Sequence, residues 1–187
     1  MKPMEIEQAS MAIIERELQV ALDPEIKPIV KRVIHATADF SFAESMVFTP
    51  GVVPYARELL ARGAMIVTDT QMAKAGINKT ILASLGGEVH CFMSDPDVAQ
   101  EAKSRGVTRA FVSMEKAAAL EKPCIFAIGN APTALLSLEQ LMEEGKAAPA
   151  LIIGVPVGFV NVEISKERII EKPRAPYIVA RGRKGGS

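Results

Sequence analysis

A single histidine near the end of an apolar helical pattern is the side chain in this sequence best suited to proton transfer. Apolar residues recur at helical spacing from Ile26 to Ile34, and His35 follows at the edge of that stripe. The C-terminal end of a helix favours protonated imidazole, and histidine ordinarily exchanges a proton near neutral pH. His35 is therefore placed to give a proton or a strong hydrogen bond to a group beyond the helix end. The alternative is a half-buried histidine that caps its own helix or bonds a backbone carbonyl.

A serine and a basic chain end are two further polar features. Ser10 interrupts the apolar face of a first helix expected over residues 5–22. A serine there either bonds back to its own helix or points at a ligand, and the pattern leaves both open. After Ser165 the chain carries seven Lys or Arg residues and two acidic ones. This imbalance favours a local anion site, with a solvated tail as the alternative.

Short apolar strands alternate with helical patterns, and these elements must position the polar residues. Strands are predicted at residues 64–68, 89–93, 124–128, 150–153 and 177–180, with a further possible strand at 40–48. Helices are predicted from Asp23-Pro24 to about residue 39 and at 52–62, 77–85, 95–106, 108–120, 132–144 and 166–171. Strands without polar alternation are buried on both faces. We therefore predict an α/β fold, a mainly parallel sheet in three α/β/α layers, as one domain over residues 1–187.

Two strand ends carry short polar groups at the edge where α/β sheets hold ligands. Thr68, Asp69 and Thr70 follow one strand directly. Asn130 and Thr133 lie between another strand and the helix that follows it. The free N–H groups at that helix start suit an anion or a carbonyl oxygen.

Two later strand ends supply apolar surface and positive charge. Gly154 and Gly158 lie in an apolar loop, where glycine allows a large flat ligand to approach the backbone. Arg183 and Lys184 lie in a Gly-rich basic segment that suits carboxylates or phosphates. Together these features indicate a large, partly apolar polyanion as the ligand.

Several function classes lack their usual signals in this sequence. The 22 basic and 22 acidic residues cancel, and no apolar run approaches the length of a membrane span, so neither nucleic acid nor a membrane is expected as a partner. Cys91 and Cys124 are expected to be reduced core residues of a cytoplasmic protein, and no Cys/His cluster suits a metal. Neither nucleotide-binding glycine motif is present, and no serine lies in a nucleophile elbow. What remains suits a rearrangement better than hydrolysis or redox chemistry.

Six motifs, in order along almost the whole chain, resemble those of the precorrin-8X methylmutase family, which includes the cobalt-precorrin-8 methylmutases of the anaerobic branch. They are Arg32-Val33-Ile34-His35-Ala36-Thr37-Ala38-Asp39-Phe40, Thr68-Asp69-Thr70-Gln71-Met72 with Gly76-Ile77, Ser94-Asp95-Pro96, Gly129-Asn130-Ala131-Pro132-Thr133-Ala134-Leu135, Gly154-Val155-Pro156-Val157-Gly158-Phe159-Val160 and Arg181-Gly182-Arg183-Lys184-Gly185-Gly186-Ser187.

The resemblance implies an isomerase of cobalamin biosynthesis. Its members move a methyl group from C-11 to C-12 in ring C of precorrin-8X or cobalt-precorrin-8, giving hydrogenobyrinate or cobyrinate. It implies His35 as the proton donor and Ser10 and Arg109 as substrate contacts. It further implies a homodimer with the ligand near the subunit interface, and no cofactor, because any cobalt belongs to the substrate.

Two departures from the family pattern are expected to matter. Family chains usually continue past the Gly-Gly-Ser motif with an Ala/Val-rich helix, which is expected to be missing after Ser187. Residues 161–164 are bulkier than the small residues expected after the preceding loop. A corrinoid-binding or carrier protein of the same fold with little turnover is therefore the alternative function. A nucleotide-binding enzyme that uses the Asn130 helix start is a third.

Overall fold

The computed structural model describes residues 3–187, and within that range it contains ten α-helices and six β-strands. The helices are α1 (Pro3–Glu17), α2 (Lys27–Thr37), α3 (Phe42–Ser45), α4 (Val52–Ala61), α5 (Gln71–Gly76), α6 (Lys79–Ser84), α7 (Pro96–Arg105), α8 (Arg109–Ala118), α9 (Pro132–Glu143) and α10 (Val162–Glu171). The strands are β1 (Met46–Phe48), β2 (Met65–Thr68), β3 (Val89–His90), β4 (Cys124–Ile128), β5 (Leu151–Gly154) and β6 (Tyr177–Ala180).

The six strands form one mostly parallel sheet in the order β1-β6-β5-β4-β2-β3. Strands β2 to β6 pair in parallel, while β1 runs antiparallel to β6, with Val47 opposite Val179. Residues with apolar side chains fill the central strands, as expected for a sheet covered on both faces. The predicted α/β class and parallel sheet are confirmed.

The two faces of the sheet are covered by different helices. On one face Phe126 packs in a core with Leu138 of α9 and Met114 of α8. Ile125, the neighbour of Phe126 in β4, lies in a second core with Leu59 of α4. Because successive strand residues point to opposite faces, the helices enclose the sheet from both sides, which confirms the three-layer arrangement. Helices α1 to α3 add a third cluster against the end of β6.

The structure corrects several predicted boundaries. Helix α1 ends at Glu17, five residues before the predicted end, and α2 begins at Lys27. Asp23 instead opens a turn that leads directly into α2: its carboxylate accepts the N–H of Glu25 at 2.7 Å, and its carbonyl accepts the N–H of Lys27 at 2.9 Å. In residues 40–48 only the last three form a strand, because the buried side chain of Phe42 packs in a short helix against α2.

Further corrections come from local caps. The predicted helix at 77–85 is the shorter α6, and α5 precedes it in a segment with no predicted helix. Side chains set both starts, since Thr70 accepts the N–H of Ala73 and Asn78 accepts the N–H of Ile81. Strand β3 keeps only two of its five predicted residues. Helix α10 begins four residues before its predicted start at Lys166.

Candidate active site

Motifs from distant parts of the chain meet where the parallel strands end. The hydroxyl groups of Thr70 and Ser187, 117 positions apart, are 2.9 Å from each other. The N–H of Gly186 donates to the carbonyl of Val155, just after β5, at 3.0 Å. The carboxyl edge of the sheet therefore gathers three of the four predicted strand-end motifs around the end of the chain.

Asp69 occupies the helix start that the sequence offers to a ligand. Its side chain is fully buried, and its carboxylate accepts the N–H groups of Gly129 at 2.9 Å, Asn130 at 2.9 Å and Ala131 at 2.6 Å. These are the donors that were expected to bind an anion. That expectation is wrong in this structure because a carboxylate from the neighbouring strand already satisfies them. Asp69 therefore fixes the loop before α9.

The two threonines beside Asp69 are also used internally. The buried hydroxyl of Thr68 donates to the carbonyl of Thr70 at 3.0 Å and lies 3.3 Å from the carbonyl of His90. The Thr70 hydroxyl accepts the N–H of Ala73 at 3.0 Å and thereby caps α5. Of the two, the half-buried Thr70 is the one that reaches the end of the chain.

The two glycines at the end of β5 and in the loop after it lie in different surroundings. Gly154 is buried, and a Cβ atom there would lie 3.3 Å from the side chain of Val179 and 3.4 Å from Leu135. Its small size serves helix–sheet packing, so the expectation that a flat ligand approaches the backbone here is wrong for Gly154. Gly158 is half-buried and donates its N–H to the carbonyl of Arg183 at 3.2 Å. For Gly158 the expected approach of a ligand stays a prediction.

Residues 181–187, which we call the C-terminal strap, lie across the ends of β4 and β5. A Cβ atom on Gly185 would lie 2.0 Å from the carbonyl oxygen of Val155, and one on Gly129 would lie 2.8 Å from that of Gly186. No side chain fits at these two contacts, so glycine is required for the strap to approach the strand ends.

The strap separates two cavities. One, of about 340 Å³, lies between the strap and the α2–α3 region and is lined by Val33, Ala36 and Thr37. The other, of about 440 Å³, lies between the strap and α5. Gly186 and Ser187 line both. The strap is therefore the shared wall between them.

His35 lies in the last turn of α2 and its side chain is exposed. Among the residues that the structure describes it has no hydrogen-bond, ion-pair or ring partner; the N–H of Ala38 closes the helix on Ile34 instead. The capping alternative is therefore wrong. Because a helix turns by about 100° per residue, His35 faces away from the side of α2 that carries Val33 and Thr37. It does not line either cavity.

Ser10 and His35 lie on neighbouring helices, near the same ion pair. Arg32 of α2 pairs with Glu7 of α1 at 2.6 Å. Ser10 lies three residues after Glu7, and His35 three residues after Arg32. The Ser10 hydroxyl donates to the carbonyl of Ile6 at 2.9 Å, so the structure shows the back-bonding alternative.

Arg109 is an unpaired cation among the described residues, next to a threonine that contacts the start of α9. It opens α8, and within the described part of the chain its exposed guanidinium forms no hydrogen bond or ion pair. Thr108, its neighbour, lies 3.2 Å from the hydroxyl of Thr133 at the start of α9. The exposed side chain of Asn130 lies in the loop before α9. These residues form a polar rim beside the strap.

The cations of the strap are paired with acids of the protein. Lys184 donates to Asp39 at 2.5 Å and to Ser41 at 2.9 Å. The bond from Lys184, with further bonds from Ser41, lowers the pKa of Asp39 to about 2. Arg183 pairs with Glu163 at 3.2 Å and lies 5.6 Å from the ring centre of Phe159. In the single chain these two cations therefore already have acidic partners, and anion binding by Arg183 and Lys184 stays a prediction.

Lys166 is a buried cation that the sequence pattern did not single out. Its side chain is fully enclosed, and its ammonium group donates to the carbonyls of Gly182 and Lys184, both at 2.8 Å. Burial lowers its pKa to about 8. The helical spacing does contain a signal for this burial. Lys166 shares the buried face of α10 with Val162 and Ile169, four residues before it and three after it.

Three broad features of the described residues concern metals, membranes and cysteines. No group of three or more His, Cys, Asp or Glu side chains is arranged to hold a metal ion in residues 3–187. In the same range no helix has the length and apolar character needed to cross a membrane. Cys91 and Cys124 are free and buried, as predicted.

A parallel sheet between helices, with polar loops beyond its strand ends, defines a ligand-binding protein of the α/β class. More narrowly, the chain belongs to the precorrin-8X methylmutase family, whose model matches residues 5–187. It is an isomerase of cobalamin biosynthesis that shifts a methyl group within its substrate.

Individual relatives agree with this assignment. The chain is 46% identical to the cobalt-precorrin-8 methylmutase of Priestia megaterium, over 100% of this chain and 83% of the relative. It is 37% identical to the precorrin-8X methylmutase of Pseudomonas aeruginosa, over 95% and 86% of the two chains. The solved precorrin-8X methylmutase of Thermus thermophilus superposes with a TM-score of 0.86 at 37% identity, over 98% of this chain and 88% of that one.

Proposed function

We propose that this enzyme moves the methyl group from C-11 to C-12 in ring C of precorrin-8X or cobalt-precorrin-8, with His35 as the proton donor. The observation that carries the proposal is an exposed histidine without a protein partner at the end of α2, in a chain that matches a methylmutase family over residues 5–187. We propose no added cofactor, because any cobalt enters as part of the substrate.

The proposed reaction is an isomerisation within one molecule. The bond from the methyl group to C-11 breaks as the bond to C-12 forms, so atoms and electrons balance without a nucleophile or a redox partner. A proton or hydrogen bond from His35 would favour the reactive tautomer of the ring.

The rim around Arg109 supports a role in holding the acidic arms of the macrocycle. Its guanidinium is unpaired, so it is free to bind a carboxylate without first giving up a protein partner. Asn130 and Thr133 would add neutral hydrogen bonds beside it. Arg183 and Lys184, in contrast, would have to exchange Glu163 and Asp39 for substrate. We therefore propose Arg109 as the first carboxylate contact.

We also propose that the enzyme acts as a homodimer. His35 and Arg109 are both exposed in the single chain. The loop after β5 exposes Phe159 by 82% and Val160 by 78%, which is apolar surface that a second subunit or the macrocycle would cover. Sedimentation at micromolar concentration should give about twice the mass of one chain, and a monomer under those conditions would contradict this part of the proposal.

The substitution His35→Ala tests the chemical step. The variant should fold and bind the product normally, because His35 has no partner in the protein. Its conversion of cobalt-precorrin-8 or precorrin-8X, followed by absorption spectroscopy, should fall by at least about 100-fold, the usual contribution of a general acid. Arg16→Ala, at an exposed position of α1 outside the proposed site, serves as the control that leaves the imidazole in place.

Each outcome of this experiment has a clear meaning. Near-normal turnover by the variant would reject His35 as the donor. Tight binding of hydrogenobyrinate or cobyrinate by the wild-type protein without conversion of either precursor would support a corrinoid carrier instead. Conversion of only one precursor would identify whether cobalt belongs in the substrate.

A further inference from the structure

Burying the ammonium group of Lys166 costs free energy, which indicates that the segment it bonds is important to the protein. Its side chain is fully buried on α10, and removing an ammonium group from water carries a penalty of several kcal/mol. Among the described residues no carboxylate lies within hydrogen-bond distance of this ammonium; its two acceptors are neutral backbone carbonyls. Glu163 and Glu167, on the same helix, act only at longer range to favour its charge.

Both acceptors belong to the C-terminal strap. The carbonyls of Gly182 and Lys184 flank Arg183, whose own carbonyl accepts the N–H of Gly158. Three consecutive carbonyls are thus tied to the protein through two elements, α10 and the loop after β5. Without Lys166, two of them would lose their protein donor in a partly buried setting.

The strap is tied at both ends as well. Its first residue, Arg181, donates its N–H to the carbonyl of Ser45 at 2.8 Å, and Gly186 donates to Val155 at 3.0 Å. Lys184 also reaches Asp39, four residues after His35. The ammonium of Lys166 therefore holds the middle of a segment that touches the end of β1, the loop after β5 and the turn after the histidine helix.

We propose that Lys166 is a positioning residue for the methylmutase reaction, holding the C-terminal strap as the wall between the two strand-end cavities. The inference rests on the proposed function, because a wall has kinetic consequences only if the substrate lies against it. Lys166 is fully enclosed and does not itself touch the substrate. It sets the backbone position of Gly186 and Ser187, which line both cavities.

The hydrogen bonds to the strap also explain why position 166 holds a lysine and not an apolar residue. A protonated amine has three N–H donors and a neutral one has two, so either form can satisfy both carbonyls. With its pKa lowered to about 8, Lys166 can therefore lose its charge while it keeps its hydrogen bonds to the two strap carbonyls. An apolar side chain of similar length fills the same space and satisfies neither carbonyl.

The variant Lys166→Met tests this role. It should retain cooperative unfolding, while trypsin releases the strap at Arg181, Arg183 or Lys184 at least about tenfold faster, because the segment opens locally more often. The KM for precursor should rise about tenfold with kcat changed less than about threefold, since a displaced wall weakens binding but leaves the imidazole in place. Lys172→Met, on an exposed lysine near the end of the same helix, is the matched control.

The possible outcomes distinguish the positioning role of Lys166 from the proposed reaction. Wild-type rates of strap cleavage and a wild-type KM in Lys166→Met would overturn the proposal. If the wild-type enzyme converts no precursor, the proposed function fails, while faster strap cleavage in the variant still supports Lys166 as the residue that holds the strap. Should Lys166→Met not fold, Lys166→Leu, which likewise has no N–H donor in its side chain, takes its place, and wild-type cleavage and KM in that variant would overturn the proposal equally.

Discussion

Asp69 shows how one buried side chain can occupy a site that a sequence pattern offers to a ligand. A loop that leads from a strand into a helix is a ready anion site, and the sequence pattern gave no sign that the anion comes from the protein. The carboxylate comes from the end of β2, beside β4 in the sheet, and accepts three N–H groups of the loop before α9. The free cation Arg109 is therefore a better candidate for substrate contact than the helix start itself.

Replacing Asp69 with Asn should destabilise the whole domain. The amide keeps an acceptor for some of the three N–H groups but turns its own NH₂ toward another, so a buried donor is left without a partner. The free energy of unfolding should fall by about 3 kcal/mol, measured by urea denaturation. Asp97→Asn, which alters an exposed ion pair with Lys116, is the control and should change the midpoint little. Equal midpoints for Asp69→Asn and the wild type would contradict this account.

At the scale of elements, the orientation of α2 decides what His35 can reach. Its apolar residues Val30 and Ile34 are buried against the domain, which leaves the imidazole on the solvent side. The same helix presents a different side to the cavity beside the strap. Helix periodicity therefore places the histidine outside the single-chain cavities, in keeping with the proposed site near a subunit interface.

Gly185→Ala should displace the strap while leaving the folded domain intact. The new methyl group would lie 2.0 Å from the Val155 carbonyl oxygen and 2.7 Å from that of Pro156, so the backbone must move. Limited proteolysis should release the strap faster, with little change in thermal unfolding, since no residue of the strap belongs to the three large apolar clusters of the domain. In the proteolysis assay Gly76→Ala is the control, because a Cβ atom there meets nothing within 4 Å. Unchanged strap cleavage in Gly185→Ala would show that the close approach is not needed.

At the scale of the whole molecule, one ion pair joins the chain end to the turn after α2. The pKa of Asp39 lies at about 2 when Lys184 donates to it, below the ordinary value of 3.8. Since the folded state holds the carboxylate more strongly ionised than the unfolded state, the pair contributes stability above about pH 4. That contribution is lost as the pH falls from about 4 to about 2.

The acid sensitivity can be checked with one substitution. Between pH 5 and pH 2.5 the wild-type protein should lose more stability than Asp39→Asn, because the variant has no carboxylate to protonate at this position. Urea denaturation at both pH values measures the difference. Parallel losses in the two proteins would mean that the pair adds nothing to folding.

Much of the architecture was predictable because it depends on local pattern. Strands β4 and β6 were predicted with their observed bounds, since a continuous apolar run between turn residues has few other solutions. Helices α7 and α9 were predicted within one residue at each end from Asp95-Pro96, Pro132 and the glycines that follow them. The short elements α3, α5 and β3 were not, because caps and tertiary contacts set them.

The sequence by itself determined the alternation of strands and helices, the family and the residue types available for chemistry. Only the tertiary structure decided which of those residues are free. Asp69, Thr68 and Lys184 find partners in the protein, whereas His35 and Arg109 do not. The physical reason is that a hydrogen bond depends on position in space, and the cited partners of Asp69 and Lys184 lie 60 and 145 residues away along the chain. A pattern shows what a side chain can bind, and the fold shows what it has already bound.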